Sequence, residues 1–182
     1  MKNDRRREKS LFNPAYVPME RRRRNIGTCI FFLSLAGFLF CQHYLVSGAV
    51  IREQSMLPTL PEGGYFIVNR YVYRFKAPQR GDIVALWPRP YDTEQYVKRI
   101  VGLENEEIRI SEGKVYIDGR ELPEPYSIGK SYPDLGPLKI RENYYFVMGD
   151  NREESVDSRH FGPVPQRNIL GKIRAKGGFS FR

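Results

Sequence analysis

Between Ile26 and Ile51 the chain reads IGTCIFFLSLAGFLFCQHYLVSGAVI, with no Asp, Glu, Lys or Arg. Ile26–Cys41 is interrupted only by Gly, Thr and Ser, after which Gln42, His43 and Tyr44 mark an approach to an interface. At about 1.5 Å per residue, a helix over this stretch reaches about 39 Å, enough for a bilayer core of roughly 30 Å with tilt. A buried core helix would carry a polar stripe, and none is visible. A cleavable signal would have a shorter apolar region of about 7–15 residues. The pattern predicts a transmembrane anchor over residues 25–51.

Beyond it the pattern changes to short apolar runs bounded by Gly, Pro, Asn and Asp. These predict strands at Tyr65–Tyr71, Asp82–Trp87, Gln95–Val101, Glu107–Ile110, Val115–Ile117, Tyr144–Met148 and Ile169–Ala175. Ser111–Lys114 and Asp118–Gly119 are hairpin signals, because Gly and Asp tolerate the positive φ of tight turns. Pro123, Pro125, Pro133 and Pro137 mark residues 121–140 as irregular loop. The expected fold class is mostly β: one N-terminal transmembrane helix followed by a compact antiparallel β-rich domain over residues 52–182.

Charge adds an orientation. The chain carries 30 Lys+Arg against 21 Asp+Glu, a net +9. Residues 1–24 hold nine bases and three acids, so +6 sits in a basic arm and only +3 in the rest. That distribution leaves no basic face for nucleic acid on the folded domain. Arg21–Arg24 directly precede the apolar segment, and Arg52 is the nearest base after it. The positive-inside rule therefore predicts a cytoplasmic N-terminus, a single pass through the cell membrane and an extracytoplasmic domain. Cys29 and Cys41 lie about 18 Å apart along such a helix, beyond disulfide reach.

The chemistry narrows to three places. Ser55, in QSMLPTL, follows the apolar segment by four residues, within roughly 14 Å of the membrane boundary. A base is needed to activate it. His160 near Asp157 completes a Ser-His-Asp set by arithmetic alone. Lys98, in YVKRIV, is the other choice: a lysine serves as a base only when burial disfavours its charged form. On a strand Lys98 shares a face with Tyr96 and Ile100, while Arg99 points the other way. The third place is the charge-rich run GDNREESVDSR, Gly149–Arg159. Arg152 and Glu154 occupy positions where a calcium loop needs Asp or Asn, and there is no HExxH, ligand-spaced Cys pair or P-loop. No metal or cofactor is expected.

Four segments together resemble type I signal peptidase: SMLPTL at 55–60, GDIVAL at 81–86, YVKRIVGL at 96–103 and GDNREESVDSRHFGPVP at 149–165. The resemblance covers essentially the whole exported part. It implies a membrane-bound serine endopeptidase that cleaves signal peptides after small residues of the Ala-X-Ala type. It further implies Ser55 as nucleophile and Lys98 as general base, with Ser155 aiming the amine. Asp150, Arg152, Asp157, Arg159 and Arg99 would hold the site by charge pairing, Asp150 with Arg99. Partners implied are secretory preproteins, the lipid bilayer and proximity to the export translocon. Alternative readings are a specialised relative for pilus or conjugation substrates, or a non-catalytic peptide-binding module. Two positions depart from the family pattern: Glu53 stands where some members place a serine that donates to the oxyanion, and Glu104-Asn105-Glu106 replaces a common GLPGD continuation. Residues 104–143 leave little room for an inserted second subdomain.

Overall fold

Helix α1 spans Met19–Tyr44 in the computed structural model, which describes residues 19–44, 46–50, 54–89 and 94–174. The chain divides into two compact units, Met1–Gln42 and His43–Arg182. Along α1 the described side chains, Ile26–Leu39, are all exposed, Leu33 to 73%. Ser34 Oγ donates to the Phe31 carbonyl at 2.8 Å, so its hydroxyl is satisfied within the helix. Among the described residues no helix is long and apolar enough to cross a membrane.

The segment expected as a single helix to Ile51 divides. After Tyr44 the chain turns extended, and Val46–Val50 form strand β1, antiparallel to β2 (Tyr65–Asn69), with Val46 opposite Asn69 and Val50 opposite Tyr65. Hydropathy is the same for an apolar helix and an apolar strand. What separates them is Val-rich composition around Gly48 and the free edge that β2 offers.

The remaining strands are β3 (Ile83–Leu86), β4 (Tyr96–Gly102), β5 (Glu107–Ser111), β6 (Lys114–Ile117), β7 (Arg120–Glu121), β8 (Leu135–Lys139), β9 (Tyr144–Met148), β10 (Val164–Pro165) and β11 (Ile169–Ile173). One sheet has the order β1-β2-β11-β3-β4-β9-β10 and the other β7-β6-β5-β8, and every pairing is antiparallel. β2 alternates, with Phe66 and Val68 inward and Tyr65 and Ile67 outward. β3 lies between neighbours and is buried at all four positions, as its unbroken apolar run requires. Glu112 and Gly113 (φ 53° and 77°) turn β5 into β6, and Asp118 and Gly119 (φ 47° and 79°) turn β6 into β7.

Two expectations are corrected here. Residues 104–143 hold a four-stranded sheet of their own, and part of the Pro-marked stretch 121–140 is strand β8. β8 is an edge strand, where the missing N–H of Pro137 leaves no partner unpaired. Of the predicted last strand, Ala175 lies outside the described residues.

Three apolar clusters fix the site. Met56 and Leu60 pack with Phe66, Val68, Ile83, Ala85 and Ile173 on one side of the larger sheet. Val84, Leu86, Ile100, Tyr145, Val147 and Val164 fill another. Phe146 and Met148 of β9 join Val101 and the apolar faces of β5 and β6 in the third, which binds the two sheets together.

Candidate active site

Ser55 sits in a single 3-10 turn, Gln54–Met56. Met56 and Leu60 behind it are fully buried, and Leu60 N–H donates to the Met56 carbonyl at 2.9 Å. The turn is thus pinned by apolar burial on its C-terminal side. Its front is tied to the loop after β9: Asn151 N–H donates to the Ser55 carbonyl at 3.0 Å, and Asn151 Nδ2 to the Gln54 carbonyl at 3.3 Å.

Lys98 comes from β4, opposite Val84 of β3. Its side chain is wholly withdrawn from solvent, and Ser55 is 2% exposed. Lys98 Nζ donates to Ser55 Oγ at 2.7 Å and lies 5.2 Å from the centre of the Tyr96 ring. A hydroxyl and an amine at this distance, out of water, can exchange a proton directly.

Around this pair the acidic and basic side chains are sorted into buried ion pairs. Arg99, on the opposite face of β4, clamps Asp150 through Nε to Oδ1 at 2.8 Å and Nη2 to Oδ2 at 2.6 Å. Its Nη1 reaches the Gly81 carbonyl, and its guanidinium lies 4.0 Å from the centre of the Tyr126 ring. Thr59 Oγ1 also donates to Asp150 Oδ2, at 2.5 Å, so Asp150 locks the Ser55 segment to β4. Asp157 accepts from Arg159 Nε and Nη2 (2.8 Å each), Ser155 Oγ (2.7 Å) and Gly149 N–H (2.9 Å). Burial alone would raise its pKa. The Arg159 guanidinium and these hydrogen bonds outweigh burial and hold the carboxyl below its ordinary 3.8.

Ser155 hands its only hydroxyl proton to Asp157, leaving its oxygen lone pairs as acceptors. Gly149 lies between the two serines. A Cβ there would fall 2.3 Å from Ser155 Oγ and 2.6 Å from the Ser55 carbonyl oxygen, so no side chain fits.

Arg152 closes the arrangement from below. It donates to both Glu124 oxygens at 2.7 Å, to the Gly149 carbonyl at 3.0 Å and to Ser131 Oγ. Arg159 reaches the Arg152 carbonyl at 2.7 Å. Burial and the Glu124 carboxylate beside it raise the Tyr126 hydroxyl well above the ordinary phenol range.

The Ser-His-Asp arithmetic is not realised. His160 is exposed, on the short helix α2 (Ser158–Phe161), where its Nδ1 accepts from the Asp157 backbone N–H at 3.5 Å. It completes a capping box. The Asp157 carboxylate instead serves Arg159, Ser155 and Gly149. Among the described residues no group of three or more His, Cys, Asp or Glu is arranged to hold a metal.

A family model described as signal peptidase, peptidase S26, matches residues 23–176. The chain belongs to this signal peptidase family. Signal peptidase I V of Bacillus subtilis is 40% identical over 137 residues, covering 68% of this chain and 80% of that protein. Probable signal peptidase I-2 of Synechocystis is 35% identical over 136 residues, covering 71% of this chain and 62% of the relative's length. A signal peptidase I crystal structure from Enterococcus faecalis aligns with 54% of this chain and 98% of its own, at 33% identity and a TM-score of 0.48.

Within this member of the signal peptidase family, the structure pairs Ser55 with Lys98, Arg99 with Asp150, and Ser155 and Arg159 with Asp157, while Glu53 lies outside the described residues. Sequence reading missed Thr59, Glu124, Tyr126 and the space requirement at Gly149. Thr59 and Gly149 stand inside the motif segments, where a hydroxyl or a glycine beside a candidate site residue is a usable signal. Glu124 stands in a Pro-rich stretch with nothing in its spacing to pair it with Arg152.

Proposed function

We infer that the chain is a signal peptidase I, a serine endopeptidase that removes signal peptides from secreted preproteins. We assign the chemistry to a Ser55–Lys98 dyad. The observation that carries this assignment is the 2.7 Å contact between a fully buried lysine amine and a buried serine hydroxyl.

Loss of hydration disfavours an ammonium, the direction a lysine base requires. The neutral amine of Lys98 takes the Ser55 proton as Oγ attacks the scissile carbonyl. The resulting ammonium gives that proton to the departing amine as the C–N bond breaks and the acyl-enzyme forms. Lys98 then draws a proton from water, whose oxygen attacks the ester and frees Ser55. We assign the Ser55 backbone N–H as one fixed donor to the developing oxyanion, a role for which a preorganised dipole is suited. Ser155, its proton committed to Asp157, presents lone pairs that orient the amine. The ion pairs Arg99–Asp150 and Arg159–Asp157 hold the three strands of chain that carry these groups. An extended substrate segment would bind along exposed backbone, and small side chains before the cut would fill shallow pockets.

We assign α1 as a signal anchor, with the basic arm cytoplasmic and residues from β1 onward outside. The uncharged run from Ile26 and the Arg21–Arg24 cluster support this reading. That topology sets Ser55 near the outer membrane surface, where cleavage sites emerge.

Purified wild type and Ser55→Ala, each incubated with a preprotein in mixed micelles, test the assignment. Cleavage after a small residue by the wild type alone supports it. Equal cleavage by Ser55→Ala refutes it. Added protease degrading only the basic arm in sealed inside-out vesicles supports the topology, and loss of the β domain under the same conditions contradicts it.

A further inference from the structure

A cleft of about 680 Å³ that neither Ser55 nor Lys98 lines has Arg70, Arg74 and Arg167 in its wall. Arg70 and Arg74 lie in the loop after β2, and Arg167 lies in the turn before β11. All three side chains are exposed, and none forms an ion pair with a described residue. This differs from Arg99, Arg152 and Arg159, each of which is matched to a carboxylate. From Gly63 to Arg80 the chain holds four bases and no acid. Two carboxylates that bond lining residues are engaged elsewhere: Asp82 accepts from Tyr73 and Lys172, and Glu104 accepts from Asn143 N–H.

The basic loop is ordered and has an apolar rim. Asn69 Oδ1 accepts from Tyr71 and Val72 N–H at 3.0 and 3.2 Å. Tyr71 packs edge-on against Phe75 with ring centres 4.9 Å apart, and Arg74 lies 5.4 Å from the centre of the Tyr71 ring. Phe75 is 72% exposed and Tyr71 39%, so the two rings together present an aromatic edge that something apolar outside the domain would cover.

Chain connectivity says what that is. Only one residue separates Tyr44, the end of α1, from Val46, which pairs with Asn69 immediately before Arg70. Two residues reach at most about 7 Å, and paired strands lie about 5 Å apart. The loop is therefore confined to the neighbourhood of the helix end. We propose that this cleft binds the phosphate headgroup of an anionic phospholipid in the outer surface of the bilayer, with Tyr71 and Phe75 entering the interface beside it. The inference rests on the reading of α1 as an anchor whose Tyr44 end meets that surface.

Each arginine near an anionic surface strengthens attachment by about fivefold, so three contribute roughly a hundredfold, reduced by salt. The test uses full-length protein in nanodiscs and follows amide exchange at residues 70–76 and 166–168. Three conditions are compared: phosphatidylcholine alone, phosphatidylcholine with one-third phosphatidylglycerol (about a third), and phosphatidylcholine with free glycerol phosphate. Slower exchange only with phosphatidylglycerol, abolished in Arg70→Gln/Arg74→Gln/Arg167→Gln and weakened by salt, is the expected result. No dependence on phosphatidylglycerol overturns the proposal, as does equal protection by free glycerol phosphate or protection that persists in the triple variant. Preprotein cleavage by the triple variant in neutral detergent, unchanged from wild type, establishes that it folds. Carbonate extraction separates the two readings: release of the wild type from vesicles refutes the anchor itself, whereas retention without lipid-dependent protection refutes only the headgroup site.

Discussion

Adding one methyl group at Gly149 tests how tightly the site is built. The Cβ of Gly149→Ala would lie 2.3 Å from Ser155 Oγ, 2.5 Å from Ser155 Cβ and 2.6 Å from the Ser55 carbonyl oxygen, against 3.4 Å for an ordinary contact. The shortfall is about 1 Å, and the Ser55 contact is backbone, which cannot rotate aside as a side chain does. Ser55 and Ser155 must therefore separate, straining the Asn151 N–H bond to the Ser55 carbonyl at 3.0 Å. A displacement of about 1 Å at reacting groups costs about 10²-fold in rate, whereas overpacking of this kind costs about 1–3 kcal/mol in stability. Preprotein cleavage measured well below Tm should fall about a hundredfold in kcat/KM while Tm drops by several degrees. Gly136→Ala is the control, because nothing lies within 4 Å of its added Cβ. Wild-type kcat/KM in Gly149→Ala would refute the close approach of the two serine-bearing segments.

Other expectations follow from the buried ion pairs. Glu124→Gln leaves the Arg152 guanidinium buried without its carboxylate and should destabilise the domain by about 3–5 kcal/mol in urea unfolding; the double variant Glu124→Gln/Arg152→Met should recover part of that loss. Asp157→Asn should destabilise by a similar amount at neutral pH. Because the folded-state pKa of Asp157 is depressed, its stabilisation is fully present above the ordinary carboxylate value of 3.8 and is lost as pH falls through the lower folded value. Acid unfolding of the variant should accordingly be less steep below about pH 4 than that of the wild type. His160→Ala removes one half of a capping box on an exposed turn and should cost about 1 kcal/mol or less with little change in cleavage.

The parts of this fold legible in the sequence were those with a two-residue apolar alternation or an unbroken apolar run. β2, β3, β4 and β9 announced themselves in this way, and Asp118-Gly119 announced its hairpin. The pattern of YVKRIV made it legible that one of its two cations faces apolar neighbours, whereas the choice of Lys98 over Arg99 came only with the motif resemblance. β1 was concealed, since an uncharged apolar strand continues an apolar helix without a change in hydropathy. β8 was concealed by Pro133 and Pro137, which look like loop residues until the strand is seen at a sheet edge. The Glu124–Arg152 pair was invisible because its partners are 28 positions apart, and sequence separation says nothing about which buried charge meets which. His160 was the weaker choice of base in the sequence as well, and its closeness to Asp157 there puts its ring against backbone, not against the carboxylate.

The most direct test of the central claim is preprotein cleavage by Lys98→Arg beside His160→Ala, each folded and assayed in the same micelles. Arginine cannot supply a neutral base at accessible pH. The dyad therefore predicts that Lys98→Arg loses activity by about 10³-fold or more while His160→Ala stays close to wild type. Substantial cleavage by Lys98→Arg, or its loss in His160→Ala, would contradict a lysine base and return the proton transfer to histidine.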